Sequence, residues 1–213
     1  MADVELAPEL APGWLTSMVA GMETSQRSKR AQELLSGRTV QRPERDDAAV
    51  LMLLTGANAA EAEILITHRT PTMRSHSGQM AFPGGHIDAG DRGPVDAALR
   101  EAWEETGLER SRVTPLATLR TVTTGGSGLR VRPVIAYAEQ PGETYVASPF
   151  ETDDVFFIAV RDLVDAGLSI VATGGTADHL ARAGLPVGPI ANPGRASIDA
   201  VLDPAPSPAL YFV

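Results

Sequence analysis

The stretch Gly84–Leu108, GGHIDAGDRGPVDAALREAWEETGL, joins a glycine turn to a helical segment carrying Glu101, Glu104 and Glu105. At 100° per residue the three glutamates fall within an arc of about 100° on one helix face. Val95, Ala98, Leu99 and Ala102 follow the i, i+3, i+4, i+7 pattern of a buried face. One face packs and the other collects charge. Crowded carboxylates repel, at roughly 0.2 to 0.5 kcal/mol per i, i+4 pair on an exposed helix. A bound divalent cation reverses that sign. Pro94 suits the first helical turn, where a missing N–H costs nothing. Gly107 is placed to cap the C-terminus. Gly84 and Gly85 allow close backbone approach and positive φ, with the Gly85 carbonyl available to a metal. Taken alone, three glutamates describe a solvated acidic helix face; the flanking glycines and Arg100, four residues before Glu104, turn the reading towards a metal and a diphosphate.

Outward from this segment, the 213 residues are 43% hydrophobic and 21% charged, enough apolar material for one globular domain with a core and an appended tail. The formal charge of −9 disfavours a broad basic surface for nucleic acid or anionic membrane. The absence of cysteine excludes disulfides and thiol chemistry, and leaves oxygen or imidazole ligands for a metal. The opening MADVELAPEL lacks the basic start and apolar run of a signal peptide, and no stretch approaches the roughly 18 apolar residues of a membrane span. The cytoplasm is the default location.

Residues 1–12, rich in proline, alanine and acid, are expected to be unstructured. Trp14 to Leu35 read as one or two amphipathic helices ending at Gly37. Ala48–Leu54 and Ile64–Thr67 read as strands, as does a short apolar run ending at Phe82. Val113–Val122 and Arg130–Ala138 are further strands, with TTGGSG as a hairpin turn. Val155–Val160 is a last strand, followed by a short helix from Arg161 to Ala166. The fold class is α/β (α+β), a mixed β-sheet sandwiched between α-helices.

Gly85, Asp91, Arg100, Glu101, Ala102, Glu104, Glu105, Gly107 and Leu108 resemble the Nudix box: glycine, an acid, then Arg-Glu-aliphatic-x-Glu-Glu-x-Gly-aliphatic. Asp91 stands where Glu is usual, and eight residues rather than seven separate it from Arg100. The longer spacing resembles the coenzyme A diphosphatase subfamily. So does the upstream LITHRTPTMRSHSGQMAFPGG, at Leu65, Thr67, Arg69, Arg74, Gly78, Phe82, Pro83, Gly84 and Gly85, with Ile66 and Thr70 as variants.

The resemblance implies a Nudix hydrolase domain over residues 38–166, preceded by a tail and helix over 1–37. It implies Mg²⁺ or Mn²⁺ held by Glu101, Glu104, Glu105 and the Gly85 carbonyl, with Glu104, Glu105 and Arg100 as the catalytic set. Arg69, Arg74, Gly78, Phe82 and Gly84 would meet the substrate, although Phe82 is read first as core beneath the glycine turn. The implied reaction is hydrolysis of the diphosphate of coenzyme A or an acyl derivative to 4′-phosphopantetheine, or its acyl form, and adenosine 3′,5′-bisphosphate. Arginine forks suit phosphate oxygens. The general base stays open between Glu104 and a later acid, Glu151 or Asp154. His68 and His76 are read as satisfied polar residues. Two other readings are a Nudix hydrolase of another nucleoside diphosphate derivative, such as ADP-ribose, and a non-catalytic nucleotide-binding module. A small-molecule partner is implied, with no nucleic acid and no membrane; a homodimer is left open.

Residues 167–213 depart from this pattern. GLPVGPIANPGRASIDAVLDPAPSPALYFV resembles a stretch of endolytic murein transglycosylases, and IVATGGTADHLARAGLPV a methylglyoxal-synthase-like phosphate-binding turn. Neither activity is carried over, and this segment is expected to pack poorly.

Overall fold

The computed structural model describes residues 2–22, 45–70, 80–124, 128–165, 170–172 and 187–189. Eight strands form one mixed sheet: β1 (Ala48–Thr55), β2 (Glu63–Arg69), β3 (Met80–Ala81), β4 (Gly84–His86), β5 (Thr114–Thr118), β6 (Val122–Thr123), β7 (Arg130–Tyr137) and β8 (Thr152–Ala159). Helix α1 occupies residues 13–22, α2 Pro94–Thr106 and α3 Val160–Asp165. Two further strands, β9 (Ile170–Ala172) and β10 (Val187–Pro189), pair in parallel with each other. The rest of the sequence after Asp165 lies outside the described residues, as does the expected helix beyond Met22. Among the described residues no helix is long and apolar enough to cross a membrane.

β1 is the axis of the fold. Its near-continuous apolar run is buried on both faces, as a central strand requires. Along one edge it runs parallel to β7, from Ala48 opposite Val131 to Leu54 opposite Tyr137. Along the other edge its partner changes: Ala48–Val50 pair with β4, whereas Leu54 and Thr55 pair with β2. Between them the Leu51 amide donates to the Pro83 carbonyl at 2.8 Å. This change of partner swings β4 beneath α2 while β2 continues outward to pair with β8.

The alternation of β1 separates two cores. Ala49, Leu51 and Leu53 pack with Leu65 and Val134 against Val95, Ala98, Leu99 and Ala102 of α2. Val50, Ile64 and Ile66 face the other way, against Val160 and Leu163 of α3, and Leu15, Met18 and Val19 of α1 pack on Leu116 and Ile135. The sheet is therefore sandwiched as its sequence implies. Each fully buried leucine or valine contributes about 1.5–3 kcal/mol relative to exposure.

Three local expectations need correction. Residues 2–12 are ordered: Val4 and Leu6 pack on the α2 core, and the Ala7 amide donates to the Pro115 carbonyl at 2.8 Å. Val113–Val122 is two strands, β5 and β6, both paired with β7, and β5 itself bulges between Pro115, which has no N–H to donate, and Ala117. After β5 the Leu119 amide still donates to the Pro133 carbonyl at 2.8 Å, while its carbonyl accepts from Arg132 Nη1 at 2.9 Å. Third, Gly84 and Gly85 are extended, not turned: they form β4, and neither has positive φ. The TTGGSG hairpin links antiparallel β6 and β7, with the Thr124 amide donating to the Leu129 carbonyl at 2.9 Å. Residues 125–127 lie outside the described part.

Candidate active site

α2 starts at Pro94 and ends at Gly107, which adopts the left-handed conformation (φ 70°) and returns its amide to the Trp103 carbonyl at 2.9 Å. Both ends follow the sequence reading. The helix lies over β4, whose two glycines are approached closely from different sides, Gly84 by the β1 backbone and Gly85 by Glu101 of α2. A Cβ on Gly84 would stand 2.4 Å from the Ala49 carbonyl oxygen, and one on Gly85 would stand 2.6 Å from the Glu101 carboxyl carbon.

The three glutamates sit at graded depth. Glu104 is exposed, Glu101 is partly buried, and Glu105 is buried beside β4, accepting a hydrogen bond from the Gly84 amide at 3.2 Å. Burial pushes the Glu105 carboxyl up to about 8; the Gly84 amide and the Arg69 charge oppose that rise, and the Glu101 and Glu151 charges add to it. Burial also raises Glu101, against the pull of Arg100.

Arg100 organises the exposed side. Its Nε and Nη2 each reach Asp91 at 2.9 Å, its Nη1 reaches Glu101 at 2.9 Å and Glu104 at 3.0 Å, and Nη2 also donates to the His86 carbonyl at 2.9 Å. The steadying of Glu104 expected from the i, i+4 spacing is present, within a wider network. Arg100 holds Asp91 below the ordinary carboxylate range, and Asp91 in turn raises the guanidinium further.

Arg69, the last residue of β2, brings positive charge to Glu105. Arg74, Gly78 and His76 lie outside the described residues. Phe82 is buried in the core with Val50, Ile66 and Val131, which fits packing and not substrate contact. Gly84 is likewise buried against β1, with its amide committed to Glu105, so it supports the site from beneath rather than touching a substrate. His68 Nδ1 lies 2.5 Å from Asp153, the satisfied polar role expected of it. Of the later acids, Glu151 lies near enough to Glu105 for its charge to be felt, whereas exposed Asp154 has its Oδ1 on the Val155 amide.

Sequence reasoning missed the strap over the end of α2. The Tyr145 amide donates to the Thr106 carbonyl at 2.9 Å and the Ala147 amide to that of Glu105 at 3.0 Å. The Tyr145 ring fills the space a Cβ on Gly107 would take. It also missed Asp3, whose carboxylate accepts from the Val95 and Asp96 amides. The signal was present: α2 begins with Gly93 at the N-cap, where an acceptor side chain is usual.

The donor set suits a hard divalent cation. Glu101 lies against Gly85 and Glu105 against Gly84, with Glu104 on the same helix face, no cysteine is present, and the deepest carboxyl is held in a state that a cation would reverse. Among the described residues no three metal-binding side chains already close on one point. Arg100 holds Glu101 and Glu104 to one side while Glu105 faces Gly84.

The family model for the NUDIX domain matches residues 45–173. The chain belongs to the Nudix family. The match takes in every element that builds this site except the N-terminal arm. A probable nudix hydrolase of Schizosaccharomyces pombe is 33% identical over 118 residues, 55% of this chain and 41% of that protein. An uncharacterized Nudix hydrolase, NudL, of Citrobacter koseri is 35% identical over 123 residues, 58% of this chain and 62% of its own length. The chain thus spans about half the length of the curated Nudix relatives it matches. A solved Nudix hydrolase from M. smegmatis, RenU, is 29% identical with a TM-score of 0.47, covering 57% of this chain and 74% of that one. The model of a YceG-like family matches residues 180–213, of which the structure describes only 187–189.

Proposed function

We propose that this Nudix domain hydrolyses the diphosphate bond of coenzyme A or an acyl derivative. Water enters and 4′-phosphopantetheine, or its acyl form, and adenosine 3′,5′-bisphosphate leave. The observation that supports the reading best is the position of Arg69. The upstream motif carries it to the end of β2, where its charge acts on Glu105, beside the glycine cradle and the box with its extra residue. A cationic fork so placed suits phosphate oxygens next to a metal.

Glu101, Glu104, Glu105 and the Gly85 carbonyl would hold Mg²⁺ or Mn²⁺, with Glu101 and Glu104 turning from Arg100 towards Glu105. Bound there, the ion neutralises the diphosphate and lowers the pKa of an attacking water. Arg100 limits the directions in which Glu101 and Glu104 point. Arg69, with Arg74, takes phosphate charge. The proton of the water goes to Glu104 or Glu151; Glu104 is the exposed member of the three glutamates, and Glu151 is the later acid whose charge reaches Glu105.

The test is product identification after incubation with Mg²⁺ or Mn²⁺ and, separately, coenzyme A, dephospho-coenzyme A, ADP-ribose and a nucleoside triphosphate. Adenosine 3′,5′-bisphosphate from coenzyme A, in preference to products of the others, is the expected result. Faster turnover of ADP-ribose assigns another nucleoside diphosphate derivative. Binding without turnover of any substrate assigns a non-catalytic module.

A further inference from the structure

The start of α2 has no capping side chain of its own. Gly93 holds the N-cap position, where Ser, Thr, Asp or Asn normally accepts from the free amides of the first turn. Its backbone is extended (φ 169°, ψ −170°), a conformation any residue can adopt, so the glycine is not there for its torsion angles. It is there for space. A Cβ on residue 93 would lie 2.5 Å from the Asp3 carboxyl carbon and 2.6 Å from its Oδ2. Asp3 supplies the missing acceptor: Oδ2 takes the Val95 amide and Oδ1 the Asp96 amide, each at 3.0 Å.

A reciprocal contact reaches back from the first turn. Asp96, three residues after the N-cap, accepts the amide of Arg92, the residue just before the N-cap, at 3.1 Å. The cap is therefore split from its helix, contributed by an arm some ninety residues away in sequence. That arm is fixed by Val4 and Leu6 in the α2 core and by the Ala7 amide on Pro115. A carboxylate at this end also meets the positive end of the helix dipole.

We infer that Asp3 is a positioning residue for the metal-binding carboxylates. The inference rests on reading α2 as the metal helix, and is independent of the coenzyme A assignment. The loop 88–93 ends on the capped turn and carries Asp91, Asp91 holds Arg100, and Arg100 sets Glu101 and Glu104. Fixing the first turn of α2 thus fixes the origin of that chain of contacts.

The test is a double-mutant cycle on the full chain. Asp3→Gly removes the acceptor. Gly93→Ser offers a local capping hydroxyl but drives its Cβ into Asp3. The pair Asp3→Gly/Gly93→Ser returns the cap to the helix's own chain. Two quantities are read with metal-free protein shown by circular dichroism to be folded: the melting temperature, and the Mn²⁺ dissociation constant by calorimetry. Each single substitution should lower the melting temperature by about 2–4 °C. Each should weaken Mn²⁺ binding between about two- and thirtyfold. The double variant should recover both. Strictly additive losses overturn the split cap, and a lower melting temperature with unchanged Mn²⁺ affinity overturns the positioning role. If Asp3→Gly does not fold, Asp3→Asn, which keeps one acceptor oxygen, is measured in its place, with smaller losses in both quantities expected and an unchanged Mn²⁺ affinity overturning the role. Wild-type protein that binds no Mn²⁺ overturns the metal reading itself, whereas wild-type binding with unaltered variants overturns this inference alone.

Discussion

The guanidinium of Arg100 grips Asp91 through Nε and Nη2, both at 2.9 Å, and uses Nη1 of the same group to hold Glu101 and Glu104. One planar cation thereby ties the loop before α2 to two carboxylates of the box. Lysine cannot reproduce that fork. Arg100→Lys should fold and should lower metal affinity or turnover by about 10–100-fold, the range seen when groups orienting metal ligands are removed. A Mn²⁺ titration of the variant checks the first and its kcat the second.

The same pair sets a pH dependence. Arg100 holds the folded Asp91 carboxyl below its ordinary value of 3.8. Its contribution to stability is therefore fully present above the unfolded value and is lost as pH falls through the lower folded one. Asp91→Asn should flatten that part of the acid limb in a plot of melting temperature against pH. An unchanged acid limb would mean that the ion pair contributes no net stability.

Glu105 carries the opposite sign. Its folded carboxyl is pushed up to about 8 from an ordinary 4.5, so the folded state favours the neutral acid. Without metal, stability is full below the unfolded value and declines as pH rises towards 8. Glu105→Gln keeps the volume and an oxygen for the Gly84 amide. It should melt higher than wild type at alkaline pH without metal, with the gap closing in mild acid. With metal it should lose about a hundredfold or more in rate, as a missing ligand charge requires.

The two glycines of β4 should respond differently to alanine. At Gly84 the added carbon meets the Ala49 carbonyl and the Val50 Cα, which are backbone and cannot yield. Gly84→Ala is expected to cost about 1–3 kcal/mol or more in chemical denaturation. At Gly85 it meets only the end of the Glu101 side chain, which can turn away. Gly85→Ala should keep most of the stability while metal binding falls, a split that shows the glycine is retained for the site.

The base can be assigned by comparing Glu104→Gln, Glu151→Gln and Asp154→Asn. Loss of a general base typically costs 10²–10⁴-fold, roughly, and removes one limb of the pH–rate profile. Glu104 or Glu151 is expected to show both effects. Asp154→Asn should remain near wild type, because that side chain is exposed and its Oδ1 is on the Val155 amide. A collapse of rate in Asp154→Asn alone would move the base to β8.

Much of this architecture can be read before any coordinates. The 3.6-residue period separated the packing face of α2 from its acidic face, Pro94 and Gly107 marked its ends, and the apolar runs located β1, β2, β7 and β8. Where reading failed, a distant partner decided the outcome. Pro115 bulged β5 against β7, Gly84 and Gly85 became a strand once β1 offered them an edge, and the acid-rich start was ordered by packing on α2.

By itself the sequence determined the chemical inventory: three carboxylates on one helical face, two glycines before them, Arg100 beside them and Arg69 and Arg74 upstream, and the family to which the spacing belongs. Those properties are local, carried by residue type and by the geometry of a single turn. Only the tertiary structure decided which carboxylate is buried and so hard to ionise, which later acid stands near it, and that Asp3 caps the helix. Burial, charge proximity and a borrowed cap depend on elements far apart in the chain, and no periodicity within one segment records them.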